Sequence, residues 1–149
     1  MARSPGSQGV TAVVLEPGAP DARGVSFSLG AEQLEFLGRP RDVHVASILP
    51  GHVRGEHFHA ERRELIVVIH EDDFSLHWDD GADGERHSRR FTGAGVVVVS
   101  IPPMAAHAVR NDGLRPLWLL AASDGPYDPQ RPDAHARTVS EPPRPPADG

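Results

Sequence analysis

The chain has 149 residues, no cysteine and a formal net charge of −6 at pH 7. This length fits one domain with its own core, and the lack of cysteine excludes disulfides and thiolate metal sites. The acidic balance offers no basic surface for nucleic acid. Because no apolar run could span a membrane and no apolar signal region begins the chain, we expect a cytoplasmic protein without membrane partners.

Short apolar segments separated by turn formers predict an all-β chain, and 15 glycines and 15 prolines supply the turns. Strands are expected, in chain order, at residues 10–15, 43–49, 53–59, 65–70, 74–78, 86–92, 96–101, 106–111 and 117–122. Two shorter extended pieces are expected at residues 25–29 and 34–37. Residues 31–37 fit one helical turn equally well, so two interpretations of this segment stay open.

The regular strands and short connections favour a single jelly-roll domain at residues 10–133. Residues 1–9 are small and polar and are expected to be flexible. From Ser123 onward the composition changes to Asp, Gly, Pro and Arg, and residues 127–133 fit an ordered arm. Residues 134–149 contain Pro-Pro pairs and are expected to form a flexible C-terminal tail.

Four side chains form a candidate metal site: His57, His59, Glu64 and, farther along, His107. Residues two apart on a strand share a face, so His57 and His59 are expected to point into one cavity. Three imidazoles and one carboxylate would hold one divalent cation and leave positions for water or substrate. These ligand types suit Zn, Fe, Mn, Ni or Co and do not distinguish among them.

The sequence resembles the cupin superfamily over residues 43–122. The first cupin motif, Gly-x5-His-x-His-x4-Glu, is matched by Gly51 and the first three candidate ligands, and the second motif is matched by Pro102, His107 and Asn111. The departures are at glycine positions: Glu71 and Met104 replace two glycines, and Gly95 is displaced by one residue. The resemblance implies a double-stranded β-helix, or jelly-roll barrel, that holds a metal at the four ligand positions.

A finer resemblance concerns the substrate. The Arg54-Gly55 pair before His57 is similar to cupins that act on nucleotide sugars, including the dTDP-sugar ketoisomerases. The same pair also resembles the cupin domain of capsule enzymes that epimerise UDP-linked 4-keto or enal sugars. Residues 101–107 and 127–133 resemble the later part of that domain. The resemblance implies an enzyme that isomerises, epimerises or dehydrates an oxygenated small-molecule intermediate, with the metal as Lewis acid on a carbonyl or enediol. An iron-dependent dioxygenase and a non-catalytic small-molecule-binding cupin are the alternatives.

Several residues near these motifs are candidates for the chemistry. His44 and His52 are candidate general bases because histidine titrates near neutral pH, and Glu64 could act as a mobile ligand that also moves a proton. Arg54 fits either a surface ion pair or a contact to a substrate phosphate or carboxylate. Tyr127 fits either a proton donor or an anchor of the tail. We expect a homodimer in which the strand at residues 10–15 is an edge or exchanged strand.

Overall fold

A computed structural model describes residues 9–141, and within them the chain forms ten β-strands and one α-helix arranged as two antiparallel five-stranded sheets. The elements are β1 (Thr11–Val14), α1 (Ala31–Leu37), β2 (Asp42–Ile48), β3 (Val53–Phe58), β4 (Glu64–His70), β5 (Phe74–Asp79), β6 (Arg86–Phe91), β7 (Gly95–Ile101), β8 (His107–Asn111), β9 (Leu117–Ser123) and β10 (His135–Ala136). The strand order is β1-β7-β4-β9-β2 in the first sheet and β10-β3-β8-β5-β6 in the second. The predicted all-β jelly-roll architecture is confirmed.

Strand β7 explains why the chain contains a continuous apolar run rather than an alternating one. Val97, Val99 and Ile101 point between the sheets and join the main core, whereas Val96 and Val98 point to the opposite face. That opposite face is covered by the helix and the loop before it. A strand buried on both faces favours apolar side chains on both faces, and in β7 the buried Ser100 interrupts the run only near its end.

The segment with two open interpretations is a helix, α1. It begins after Gly30, whose N–H donates to the Gln33 side-chain oxygen at 2.7 Å, and it ends at Gly38, whose φ is 68°. Leu37 is buried and Phe36 packs beside it on the outer face of the first sheet. The piece at residues 25–29 is not a strand, and its Phe27 and Leu29 join the same cluster.

Helix α1 covers only part of the outer face of the first sheet, and the side chains on the rest of that face are exposed. Val43, Val45, Ile69 and Trp118 share that face by their strand register, and between 54% and 62% of each residue is exposed. The first sheet therefore presents an apolar surface beside its edge strand β2.

Part of the expected flexible tail packs against the barrel. Residues 134–141 lie against the second sheet: β10 pairs with β3, and Val139 is only 2% exposed, packed against Ala106 and Ala108. An apolar side chain that fills a pocket on the sheet orders a segment whose composition alone suggests flexibility. The rest of that tail, residues 142–149, and residues 1–8 of the expected flexible N-terminus lie outside the described residues.

Among residues 9–141, no helix has both the length and the apolar character needed to cross a membrane.

Candidate metal centre

The four candidate ligands converge between the two sheets. One donor atom from each of His57, His59, Glu64 and His107 lies within 4.8 Å of those of the others. The Glu64 carboxylate lies between two of the rings, with one oxygen 3.1 Å from His59 Nε2 and the other 3.3 Å from His107 Nε2. The His57 ring centroid is 4.9 Å from each of the other two. All except the half-buried His57 are buried.

A β-bulge in β3 brings His57 to this position. The pairing of β3 with β8 shifts in register between Gly55 and His57, so that His57 lies directly opposite His107. Gly55 has a φ of 108°, and a Cβ there would lie 2.5 Å from the His107 carbonyl oxygen. Only glycine allows the two strands to approach so closely, and bulges commonly redirect a side chain in this way.

Met104 shows how the chain manages without one of the glycines of the second cupin motif. Its φ is 74°, so the methionine itself adopts the left-handed conformation that glycine adopts most readily. Its N–H donates to the His59 carbonyl at 2.7 Å. The turn before β8 is thereby tied directly to the main chain of a candidate ligand.

Main-chain carbonyls fix two of the imidazole rings. His59 Nδ1 donates to the Asp133 carbonyl at 2.5 Å, and His107 Nδ1 donates to the Ala105 carbonyl at 3.3 Å. Arg62 Nε also lies 3.3 Å from His59 Nδ1, but a ring nitrogen that donates its N–H cannot accept, so we assign the bond to the shorter carbonyl contact. Both Nε2 atoms consequently face Glu64, the orientation in which an imidazole binds a metal.

The charges of the centre follow from burial and from these contacts. Burial, followed by the neighbouring His107 and His59, lowers the pKa of His57 to about 4, so its ring is neutral at neutral pH. Burial by itself raises the pKa of Glu64, but its contacts with the rings of His107 and His59 hold it well below its usual range. Burial lowers the pKa of His59, and the contacts with Glu64 more than offset this, so its pKa is raised. One carboxylate anion among imidazoles is a donor set that fits a divalent cation.

The centre opens into a cavity of about 720 Å³. Ile66, Val109 and Leu119 form part of an apolar wall, and further polar side chains line the space around them. This volume lies within the range of sites that enclose small organic ligands.

The model of the family described as "Polysaccharide biosynthesis C-terminal domain" matches residues 21–135, which is more than half of the chain. The chain belongs to this family. A comparison with curated protein sequences gave no match.

Solved structures of the same fold include enzymes that act on sugars. NovW, a 4-keto-6-deoxy sugar epimerase from Streptomyces spheroides, is 21% identical with a TM-score of 0.67 over 86% of this chain and 69% of its own. The 3,4-ketoisomerase QdtA from Thermoanaerobacterium thermosaccharolyticum, in complex with TDP-4-keto-6-deoxyglucose, is 14% identical with a TM-score of 0.63 over 84% of this chain and 85% of its own.

The capsular polysaccharide assembling protein CapF from Staphylococcus aureus is 23% identical, with a TM-score of 0.60. That match covers 67% of this chain, but the chain spans only 27% of CapF. The likenesses to NovW, QdtA and CapF establish the fold, and the cupin-type fold that the two motifs predict is confirmed.

Besides the four candidate ligands, three residues that the sequence suggested for catalysis or substrate binding line the cavity: His44, Arg54 and Tyr127. The side chain of Arg54 donates from Nε to the Ser47 carbonyl at 2.7 Å. Tyr127 is 66% exposed. His44 is exposed as well, and its position on β2 directs it to the same space as the metal centre.

His52 is not among the residues that line the cavity. It lies in the exposed turn before β3, where its N–H donates to Leu49 and its carbonyl accepts from Asn111. Closeness in sequence to the ligands suggested a general base, but the main-chain turn holds this residue outside the site. We therefore do not retain His52 as a candidate base.

Three residues of the site were missed in the sequence. Asp42 lines the cavity, and one of its oxygens lies 3.2 Å from His44 Nδ1; its spacing of two residues on the same strand is a signal that strand alternation could have revealed. Arg62 lines the cavity from the turn between two ligands. Asp133 contacts His59 from 74 residues away, and no local pattern indicates such a contact.

Proposed function

We propose that this chain is a metal-dependent enzyme that isomerises, epimerises or dehydrates an oxygenated sugar intermediate, with a nucleotide sugar as the preferred substrate. The observation that carries the proposal is the convergence of three imidazoles and one carboxylate beside a cavity of about 720 Å³. The sugar epimerase and the ketoisomerase complex of the same fold support this choice of substrate class.

His57, His59, Glu64 and His107 would hold the cation. When bound, a divalent cation supplies Lewis acidity, which polarises a carbonyl or enediol oxygen and so acidifies the neighbouring C–H. Glu64 contributes the negative charge, and the carbonyl-held rings of His59 and His107 keep their Nε2 atoms directed to the centre. The apolar wall limits water around the developing charge, which strengthens electrostatic stabilisation there.

His44 is the residue that we propose to move the proton. It lines the cavity, and its exposed ring can exchange a proton with solvent. Asp42, 3.2 Å from Nδ1, orients the ring so that Nε2 is free to act as the base. Glu64 stays a candidate for a second proton carrier, and the phenol of Tyr127 is a candidate donor to the opposite face of the substrate.

Arg54 is proposed to bind the substrate's phosphate groups. A guanidinium carries five N–H donors, and its hydrogen bond to Ser47 uses the one on Nε. The two terminal nitrogens remain available for a paired contact with a phosphate, which is the geometry that arginine favours.

The test combines metal analysis with proton exchange. Protein purified without added metal is analysed for bound metal, loaded with each candidate cation, and incubated with TDP-4-keto-6-deoxyglucose in D₂O. The proposal predicts deuterium at a carbon next to the carbonyl, detected by NMR, and its loss in Glu64→Gln but not in the neighbouring exposed Glu61→Gln. Oxygen uptake by the iron-loaded protein without deuterium exchange would favour the dioxygenase alternative, and absence of both reactions would favour the non-catalytic binding protein.

We also propose a homodimer formed through the apolar face of the first sheet. Val43, Val45, Ile69 and Trp118 form a contiguous exposed surface next to the edge strand β2, and surfaces of this kind commonly mark protein contacts. A second copy fits because one apolar patch can meet itself across a two-fold axis. Strand β1 is also at an edge, but it pairs with β7 of its own chain.

Light scattering tests the dimer. We expect a dimer for the wild type, a monomer for Val45→Asp, and no change for Leu114→Asp, a control at an isolated side chain that is 89% exposed. A wild type that is monomeric at assay concentration would contradict the proposal.

A further inference from the structure

Residues 133–141, which we name the C-terminal strap, run along the second sheet beside the metal centre. Strand β10 of the strap extends the edge of β3 and places Ala136 opposite His57, which in turn lies opposite His107 on β8. Beyond β10 the strap crosses the outer face of the sheet, where Val139 is buried. The strap therefore lies next to β3, which carries His57, and contacts the turn between His59 and Glu64.

Asp133, the first residue of the strap, makes four contacts with the segment between His59 and Glu64. Its carboxylate accepts hydrogen bonds from the backbone N–H groups of Ala60, Glu61 and Arg62, at 2.8, 3.0 and 3.2 Å respectively. Its backbone carbonyl accepts from His59 Nδ1 at 2.5 Å. The carboxylate therefore fixes the turn that separates the two ligands, and the carbonyl fixes the ring of the first.

Other contacts anchor the strap without involving the ligand side chains. The Arg137 guanidinium donates to both oxygens of the buried Asp79, at 2.8 and 2.9 Å, and to the Met104 carbonyl at 2.7 Å. The Glu56 carboxylate accepts from the backbone N–H groups of Val139 and Ser140, at 3.2 and 3.1 Å. These bonds hold the strap on the barrel, so that Asp133 presents its acceptors from a fixed support.

We infer that Asp133 is a positioning residue of the metal centre: its carboxylate clamps the turn between His59 and Glu64 while its carbonyl orients the His59 ring. The inference rests on the proposed metal-dependent function, because it gives Asp133 a role through two of the proposed ligands. Outer hydrogen-bond partners of metal-bound histidines typically change metal affinity by about 10–100-fold when they are removed. The three backbone donors around Asp133 match a carboxylate, whose two oxygens can both accept, better than an amide.

Asp133→Asn tests this inference, since it keeps the size of the side chain and replaces one acceptor oxygen with an NH₂ donor. Asp128→Asn is the matched control, because Asp128 lies in the arm before the strap and its carboxylate accepts a hydrogen bond from the Gln130 N–H in its own turn, at 2.9 Å. The probe is Co²⁺, whose affinity is measured by titration and whose visible absorption reports the ligand set. His59→Ala serves as the reference for a centre that lacks this ligand.

Asp133→Asn loosens the turn but keeps the backbone carbonyl that holds the His59 ring. We therefore expect it to bind Co²⁺ about 10-fold more weakly than the wild type, at the lower end of the range for outer hydrogen-bond partners, with an absorption spectrum shifted toward that of His59→Ala. Asp128→Asn should match the wild type in both measurements. If Asp133→Asn does not fold, Asp133→Ser is compared in the same way, because a hydroxyl cannot serve all three backbone donors. A role limited to folding would lower the melting temperature and leave the Co²⁺ affinity and spectrum unchanged.

Equal affinity and an identical spectrum in the wild type and Asp133→Asn would overturn the inference alone. A wild type that does not bind Co²⁺ would overturn the proposed metal-dependent function and this inference with it. The two failures are therefore distinguished by the wild-type titration.

Discussion

Replacement of Gly55 by alanine tests whether the close approach of β3 and β8 builds the metal centre. The new Cβ would lie 2.5 Å from the His107 carbonyl oxygen and 2.9 Å from Ala108 Cα, both main-chain atoms that cannot rotate away. Ordinary contact begins at 3.4 Å, so the strands would have to separate by about 0.9 Å at this point. The separation would also move His57 away from His107, which it faces across the same pair of strands.

Two effects contribute to the expected loss of stability in Gly55→Ala. A side chain forced to a positive φ costs about 1–2 kcal/mol, and this part applies at Gly55, where φ is 108°. The overlap with the neighbouring strand adds about 1–3 kcal/mol, by analogy with overpacked cores. We therefore expect Gly55→Ala to lower the free energy of unfolding by about 2–5 kcal/mol.

Gly51→Ala is the matched control. Gly51 also has a positive φ, 78°, but a Cβ there meets no atom within 4 Å, so only the backbone part of about 1–2 kcal/mol applies. Urea denaturation of both variants gives the difference, and a Co²⁺ titration should show weaker binding for Gly55→Ala alone. Equal destabilisation of the two variants, with equal Co²⁺ affinity, would refute the reasoning.

Three further predictions follow from other contacts. Arg137→Met removes both charged hydrogen bonds to the buried Asp79 and should lower stability by about 3–5 kcal/mol in urea denaturation; a loss below about 1 kcal/mol would contradict this assignment. Burial raises the pKa of the Asp79 carboxyl, but hydrogen bonds from Arg137 and from two backbone N–H groups lower it below the ordinary 3.8. The stability that the ionised Asp79 contributes is therefore complete above pH 3.8 and is lost as the pH falls through the folded-state pKa. Asp79→Asn should therefore lose less stability than the wild type below pH 3.8, and parallel acid profiles would argue against the ion pair. His44→Gln should reduce turnover by about 10²–10⁴-fold at unchanged Co²⁺ affinity, and full activity of this variant would eliminate His44 as the base.

Most of the strands could be predicted from sequence because they are short segments rich in apolar residues and followed by turn formers. The exceptions are β6, which is mostly polar, and β10, which lies in a segment whose composition suggests flexibility. The run at residues 96–101 was clear for this reason, although its lack of alternation gave no indication of which side chains face the cavity. The segment at residues 31–37 could not be decided, since seven residues with spaced apolar positions fit a helical turn and an extended piece equally well. The tertiary contact of Leu37 with the first sheet decides it.

The convergence of the candidate ligands was also predictable, because their spacing matches two motifs and because strand alternation relates neighbouring positions. The spacing of the ligands does not predict the β-bulge at Gly55, and a glycine within a strand is only a weak sign of one. His52 lies in the turn before the strand, where alternation does not apply, so its sequence position did not indicate that it lies outside the cavity.

The contacts of the C-terminal strap could not be predicted. Asp133 and Arg137 lie in a segment whose composition suggests flexibility, and their partners His59 and Asp79 lie 74 and 58 residues away in sequence. Hydrogen bonds between such distant residues leave no periodic signal, so only the folded chain reveals them.

A calorimetric titration with Co²⁺ tests the central claim most directly, namely that His57, His59, Glu64 and His107 bind one divalent cation. We predict one Co²⁺ per chain for the wild type and for Glu61→Gln, an exposed control three residues from the ligand. Glu64→Gln keeps the shape of the side chain but removes the negative charge, and its affinity should fall by more than about 100-fold, beyond the effect typical of outer hydrogen-bond partners. Equal binding by wild type and Glu64→Gln, or no binding by the wild type, would contradict the claim.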